Sequence, residues 1–94
     1  SADLGNSAAF NNIGDLYYNG QGVKQDYSKA LEYYQKSADL GNSSAFNNIG
    51  YLYYNGQGVK QDYSKALEYY QKSADLGNSA AFNNIGYLYE NGRG

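Results

Sequence analysis

The sequence predicts an all-α fold, a solenoid of stacked helix-turn-helix repeats, on three observations. The chain repeats every 36 residues, apolar residues in each copy recur at helical spacing, and no stretch alternates with period two over strand length. Shifting the 94-residue chain by 36 aligns residues 1–36 with 37–72 at 34 of 36 positions, the exceptions being Ala8/Ser44 and Asp15/Tyr51. Residues 73–94 match 37–58 at 19 of 22 positions, with Ala80, Glu90 and Arg93 replacing Ser44, Tyr54 and Gln57. The reading is a single domain of two full units, 1–36 and 37–72, and a truncated third, 73–94. It leaves nothing for a separate catalytic domain.

Ser1–Leu4 corresponds to the last turn of a second-type helix from a preceding unit. The first helix of the unit is expected to start at Asn6-Ser7, whose short polar side chains can cap free N–H groups. It runs to Tyr18, and Asn19-Gly20 supplies the left-handed stop. At about 100° per residue, Ala9, Phe10, Ile13, Leu16 and Tyr17 share one side; Ala8, Asn11, Asn12, Asp15 and Tyr18 lie opposite. In the connection Gln21–Gln25, Val23 is the one apolar residue and is expected to pin the loop to the core. Asp26 is the expected N-cap of the second helix, suited also to the positive end of its dipole. There Tyr27, Ala30, Leu31, Tyr34, Ser37 and Ala38 share a face. Lys29, Glu32, Gln35, Lys36 and Asp39 form the other, with Glu32–Lys36 as an i,i+4 pair worth about 0.2–0.5 kcal/mol. Gly41 stops this helix and Asn42-Ser43 begins the next unit. A hairpin with one apolar face cannot bury it alone, so the units must stack, and the last helix, residues 79–90, covers the second helix of unit two.

Composition narrows the chemistry. There are 13 Tyr, 12 Gly and 12 Asn, but no Cys, His, Met, Pro, Thr or Trp. A thiol nucleophile, an imidazole base, a disulfide framework and a Cys/His metal site are therefore excluded. No loop has the Asp-x-Asp-x-Asp-Gly spacing of a calcium site, and no cofactor is expected. The net charge of −2 argues against nucleic acid or an anionic membrane as partner, since both favour a basic patch. No run is apolar enough to span a bilayer. Ser1–Asn6 does not read as a signal peptide, and the missing initiator Met points to a trimmed start; localisation stays open.

The pattern Phe10-x-x-Ile13-Gly14-x-x-Tyr17 followed by Ala30-x-x-x-Tyr34 recurs as Phe46, Ile49, Gly50, Tyr53, Ala66 and Tyr70. Its first half recurs as Phe82, Ile85, Gly86 and Tyr89. It resembles the tetratricopeptide pattern. The 36-residue period and the longer turn Tyr18-Asn19-Gly20-x-Gly22-Val23-x-x-Asp26 are similar to its Sel1-like branch, as is Gly41-Asn42 in place of the usual Pro. The resemblance implies a right-handed α-α superhelix and a non-catalytic adaptor that binds a protein or peptide.

The units differ at Ala8/Ser44/Ala80, Asp15/Tyr51/Tyr87, Tyr18/Tyr54/Glu90 and Gln21/Gln57/Arg93. The first three columns sit within about 80° of one another on the polar side of the first helix. In related repeats that side lines the concave surface. The resemblance therefore implies a peptide groove of Asn11, Asn12, Asp15, Asn47, Asn48, Tyr51, Tyr54, Asn83, Asn84, Tyr87 and Glu90. Asn amides bond a peptide backbone as donor and acceptor, and Tyr gives large contacts at low entropic cost. A structural reading competes: Asp15 and Glu90 lie in the terminal units, where a carboxylate keeps an unstacked end soluble. Tyr17, Tyr27 and Tyr34 read as core, and Lys24, Lys29, Lys36 and Glu32 as a solvated face. Asp26 and Asp62 are candidate acids for catalysis, but each is accounted for as a cap, which leaves the enzyme reading weak. The near-identity of the units points to a consensus-like or engineered array. The uncovered last helix and the loose N-terminal turn allow weak head-to-tail self-association.

Overall fold

The computed structural model describes residues 2–91, with side chains from Gly5 onward. Five helices follow in order: α1 (Ala2–Asn19), α2 (Tyr27–Asp39), α3 (Ser43–Asn55), α4 (Tyr63–Asp75) and α5 (Ser79–Glu90). Each packs on its neighbours in sequence, α1 on α2, α2 on α3, α3 on α4 and α4 on α5, as a helical solenoid requires. Among the described residues there is no strand.

The caps form where the side chains allow. Asp26 and Asp62 accept the main-chain N–H of Lys29 and Lys65 at 3.1 and 3.0 Å. Asn42 caps α3 through the N–H of Ala45 at 3.2 Å, and Asn78 caps α5 through that of Ala80 at 2.9 Å. Gly56 ends α3 with φ 68°, in the left-handed region that a side chain disfavours.

Three expectations need correction. The first helix does not start at Asn6-Ser7: α1 runs unbroken from Ala2, so residues 2–4 extend it rather than form a separate turn. Gly41 and Gly77, at the same repeat position as Gly5, break the chain with φ near +90° because a full helix precedes each and must turn back. Four residues are too few to pack as a helix against α1, and nothing bends the chain at Gly5. The N-terminal turn on which head-to-tail association was to rest is therefore absent, Ser1 lying outside the described residues. Second, Val23 is exposed. The loop is instead held by hydrogen bonds, Asp26 N–H to Tyr17 O at 2.9 Å and Gln25 Nε2 to Tyr18 O at 2.9 Å. Third, Lys36 does not close an ion pair with Glu32; among the described residues that pair forms at Glu68–Lys72, 3.8 Å. The Lys36 ammonium lies over the rings of Tyr33 and Phe10 at 5.1 and 5.8 Å.

The core is two-sided. Ala45, Ile49 and Leu52 of α3 are fully buried against Ala30, Tyr34 and Ala38 of the preceding α2. The other edge of α3 meets the following α4, where Phe46 and Tyr53 pack around Tyr69 and Gly50 meets Tyr70. As expected, α5 covers α4, burying Leu88 with Ala66 and Tyr70. No helix is long and apolar enough to cross a membrane among the described residues.

Candidate functional site

The polar sides of α1, α3 and α5 stand next to one another, joined by an asparagine ladder. Asn48 Nδ2 donates to Asn11 Oδ1 at 3.0 Å, and Asn84 Nδ2 donates to Asn47 Oδ1 at 2.8 Å. These four amides are therefore partly committed to holding the first-type helices in register. Asn12 and Asn83, at the two ends of the ladder, are exposed.

Beside the ladder lie two clefts that share Tyr51 as a wall. One, of about 340 Å³, is lined by Asp15, Tyr18, Asn19, Tyr34, Asn48 and Tyr51. The other, of about 270 Å³, is lined by Tyr51, Tyr54, Tyr70, Asn84 and Tyr87. Tyr51 and Tyr87 are 47 and 53 % exposed. Such half-open rings are ready contact surface at low entropic cost. The structure thus brings six of the eleven expected residues, Asp15, Asn48, Tyr51, Tyr54, Asn84 and Tyr87, around adjoining hollows. Asn11, Asn12, Asn47, Asn83 and Glu90 line neither. Arg93, from the fourth variable column, lies outside the described residues.

The two clefts differ in charge because unit one carries Asp15 where unit two carries Tyr51. The Tyr34 hydroxyl donates to Asp15 Oδ1 at 2.5 Å. Burial, with that carboxylate beside it, drives the Tyr34 hydroxyl far above its ordinary range. Tyr70, its counterpart in unit two, is also pushed up, by burial first and by Tyr51 and Tyr54 second. Asp15 thus turns towards α2. The apolar faces of the first and last helices stay open, with Leu16 40 % and Phe82 59 % exposed.

Four lining residues escaped the sequence reading: Tyr18, Asn19, Tyr34 and Tyr70. Tyr18 shares a column with Tyr54 and Glu90, which was the available signal; its hydroxyl donates to Gln57 Oε1 of the next loop at 3.1 Å. Tyr34 reads as core from the sequence, and its ring is buried, as is that of its counterpart Tyr70. Their positions next to Gly14 and Gly50 also bring them to the cleft walls. Among the described residues no group of three acidic side chains could hold a metal ion.

A Sel1 repeat family model matches residues 7–42, 43–78 and 79–94. Among solved structures, a Sel1 repeat protein from Oxalobacter formigenes is 36 % identical with TM-score 0.88, over 93 % of this chain and 36 % of its own. Cysteine rich protein B of Helicobacter pylori is 32 % identical with TM-score 0.77, over 82 % of this chain and 58 % of its own. A protective antigen of uropathogenic Escherichia coli displaying an SLR fold is 31 % identical with TM-score 0.57, over 99 % of this chain and 28 % of its own. No curated protein matches the chain. This chain therefore spans less than two thirds of each of these longer structures. With family matches running in tandem from residue 7 to the end and two full units stacked as helical hairpins, the chain belongs to the Sel1 repeat family.

Proposed function

We propose that this chain is a non-catalytic scaffold that holds an extended peptide or protein segment along α1, α3 and α5. Sel1-repeat proteins are generally protein-interaction scaffolds. The observation that carries the reading is Tyr51, a half-exposed ring dividing an acid-containing cleft from an aromatic one. A peptide laid across it meets a carboxylate and the Asn48 amide on one side and the rings of Tyr54 and Tyr87 on the other. Phe82, Leu76 and Val23 are also exposed, but none of them lines either of the two clefts.

The near-identity of the units supports a consensus-like array whose groove has no dedicated ligand. A piece of a natural adaptor with one partner is the alternative form of the same reading. Titration with a peptide library distinguishes them. Saturable binding that Tyr51→Ala or Asn48→Ala abolishes supports an adaptor groove. Absence of any binder above background leaves a bare scaffold, and binding that survives both substitutions contradicts the groove.

A further inference from the structure

The two clefts are one arrangement built twice, with a single chemical difference. Tyr18, Tyr34, Asn48 and Tyr51 wall the first, and their counterparts 36 positions on, Tyr54, Tyr70, Asn84 and Tyr87, wall the second. Where the second has Tyr51, the first has Asp15. That carboxylate is not needed to seat the buried ring beside it. Tyr70 packs on Gly50 with a tyrosine at the matching position, and Tyr34 packs on Gly14 as closely: a Cβ on these glycines would sit 2.7 and 2.6 Å from the rings.

The first cleft offers acceptors. The Tyr34 hydroxyl proton is committed to Asp15 Oδ1 at 2.5 Å and the Tyr18 hydroxyl proton to Gln57 Oε1 at 3.1 Å. Asn48 Nδ2 donates to Asn11 Oδ1 at 3.0 Å. These bonds leave Asp15 Oδ2 and Asn48 Oδ1 as acceptors at the walls. Among the described residues no cationic side chain comes within ion-pair reach of Asp15. The lysines that face aromatic rings lie over Phe10, Tyr17, Tyr33, Phe46, Tyr53 and Tyr69, none of which walls this cleft. The half-exposed ring of Tyr51, 6.5 Å from that of Tyr18, therefore shares a hollow with a carboxylate that the chain's own cations leave alone.

We propose that the cleft between units one and two selects a basic side chain, Lys or Arg, on the bound segment. The inference rests on the scaffold reading above and adds what the segment must carry. An ammonium or guanidinium in the cleft pairs with Asp15, whose carboxylate the Tyr34 hydroxyl holds in place, and donates to Asn48 Oδ1. Charge-assisted hydrogen bonds of this kind are the strong ones, and the face of Tyr51 adds attraction for a cation in a half-closed site. The second cleft has a ring in place of the carboxylate and offers no countercharge.

The test uses the intact 94-residue chain to select from a display library of random dodecapeptides. The expected result is a set of binders that share one Lys or Arg. For a selected peptide, exchanging that residue for norleucine is expected to weaken binding at least about tenfold, read by fluorescence anisotropy. Asp15→Asn, which keeps an acceptor for the Tyr34 hydroxyl, is expected to lose the same factor for the original peptide. The norleucine peptide is expected to bind both chains alike, a coupling that general damage to the fold would not produce. Binders that share no basic residue overturn the proposal and leave the scaffold reading intact. So does a basic residue whose exchange costs as much on Asp15→Asn as on the unaltered chain. If no peptide is selected, the scaffold reading fails, and N-acetylarginine amide decides the cleft by itself. Saturable NMR shifts of the Asp15, Asn48 and Tyr51 amides that Asp15→Asn removes uphold it, and their absence overturns it.

Discussion

Helices α3 and α5 are nearly the same peptide in different surroundings. Over residues 43–54 and 79–90 they differ only at Ser44/Ala80 and Tyr54/Glu90. In α3, between α2 and α4, Ile49 and Leu52 are fully buried and Phe46 is half-buried. In α5, which packs on α4 and has no following helix among the described residues, Leu88 is still fully buried but Phe82 is 59 % exposed. The shared sequence accounts for the helix, its asparagine cap and its amphipathic pattern. The neighbours decide how much of that pattern is used. Helix α1 is the mirror case: it packs on α2 with no helix before it among the described residues, and Leu16 is exposed where Leu52 and Leu88 are buried.

The largest expected contrast follows from those leucines. Leu52→Ala removes a fully buried side chain and is expected to cost about 2–5 kcal/mol, a large share of the stability of so short a chain. Leu16→Ala is expected to cost under about 1 kcal/mol, because much of its surface already faces water. Urea denaturation of both variants checks the ratio; equal losses would break the comparison. The glycines sharpen it by a change of sign. Gly50→Ala drives a methyl group into the Tyr70 ring at 2.7 Å, an overpacking worth about 1–3 kcal/mol. Gly86→Ala meets open space and is expected to stabilise by about 0.5–1 kcal/mol through helix propensity alone. Thermal melts in opposite directions are the predicted outcome.

A smaller effect separates units one and two at high pH. The hydroxyls of Tyr34 and Tyr70 are raised above the usual value near 10 in the fold, so the folded chain favours their neutral forms. That contribution is full below about pH 10 and is lost as the pH climbs through the higher folded values. Stability is therefore expected to fall above about pH 10, with both hydroxyls ionising late in an absorbance titration. Asp15→Asn removes the adjacent carboxylate and is expected to lower the Tyr34 titration while leaving that of Tyr70 in place. The N-cap gives a modest effect: Asp62→Ala is expected to cost about 1 kcal/mol, measurable as a shift in urea midpoint.

Much of the fold was legible because local signals repeat. The 36-residue period, the caps at Asp26, Asn42 and Asp62, the glycine stops and the helical spacing all act within a few residues of themselves. What was not legible depends on neighbours. Gly5 reads like Gly41 and Gly77, yet only the latter two follow a full helix that must turn. One apolar side was assigned to the first helix because Phe46 and Leu52 fall within the same broad arc; the structure splits that arc between α4 and α2. The candidate site was legible in part through its variable columns, which located Asp15, Tyr51, Tyr54 and Tyr87. It missed Tyr34 and Tyr70 because a buried ring can still line a cleft. It also left out that asparagines reach the first helix of the preceding unit and bond there, as Asn48 does to Asn11.

Neighbours, rather than sequence, set the stability of each helix, and residue-resolved amide hydrogen exchange is the sharpest check on that statement. Because α3 and α5 share ten of twelve residues, their intrinsic exchange rates nearly coincide, and protection reports the surroundings. The predicted result is that amides around Ile49–Tyr53 exchange at least tenfold more slowly than those around Ile85–Tyr89. Equal protection of the two stretches would contradict it.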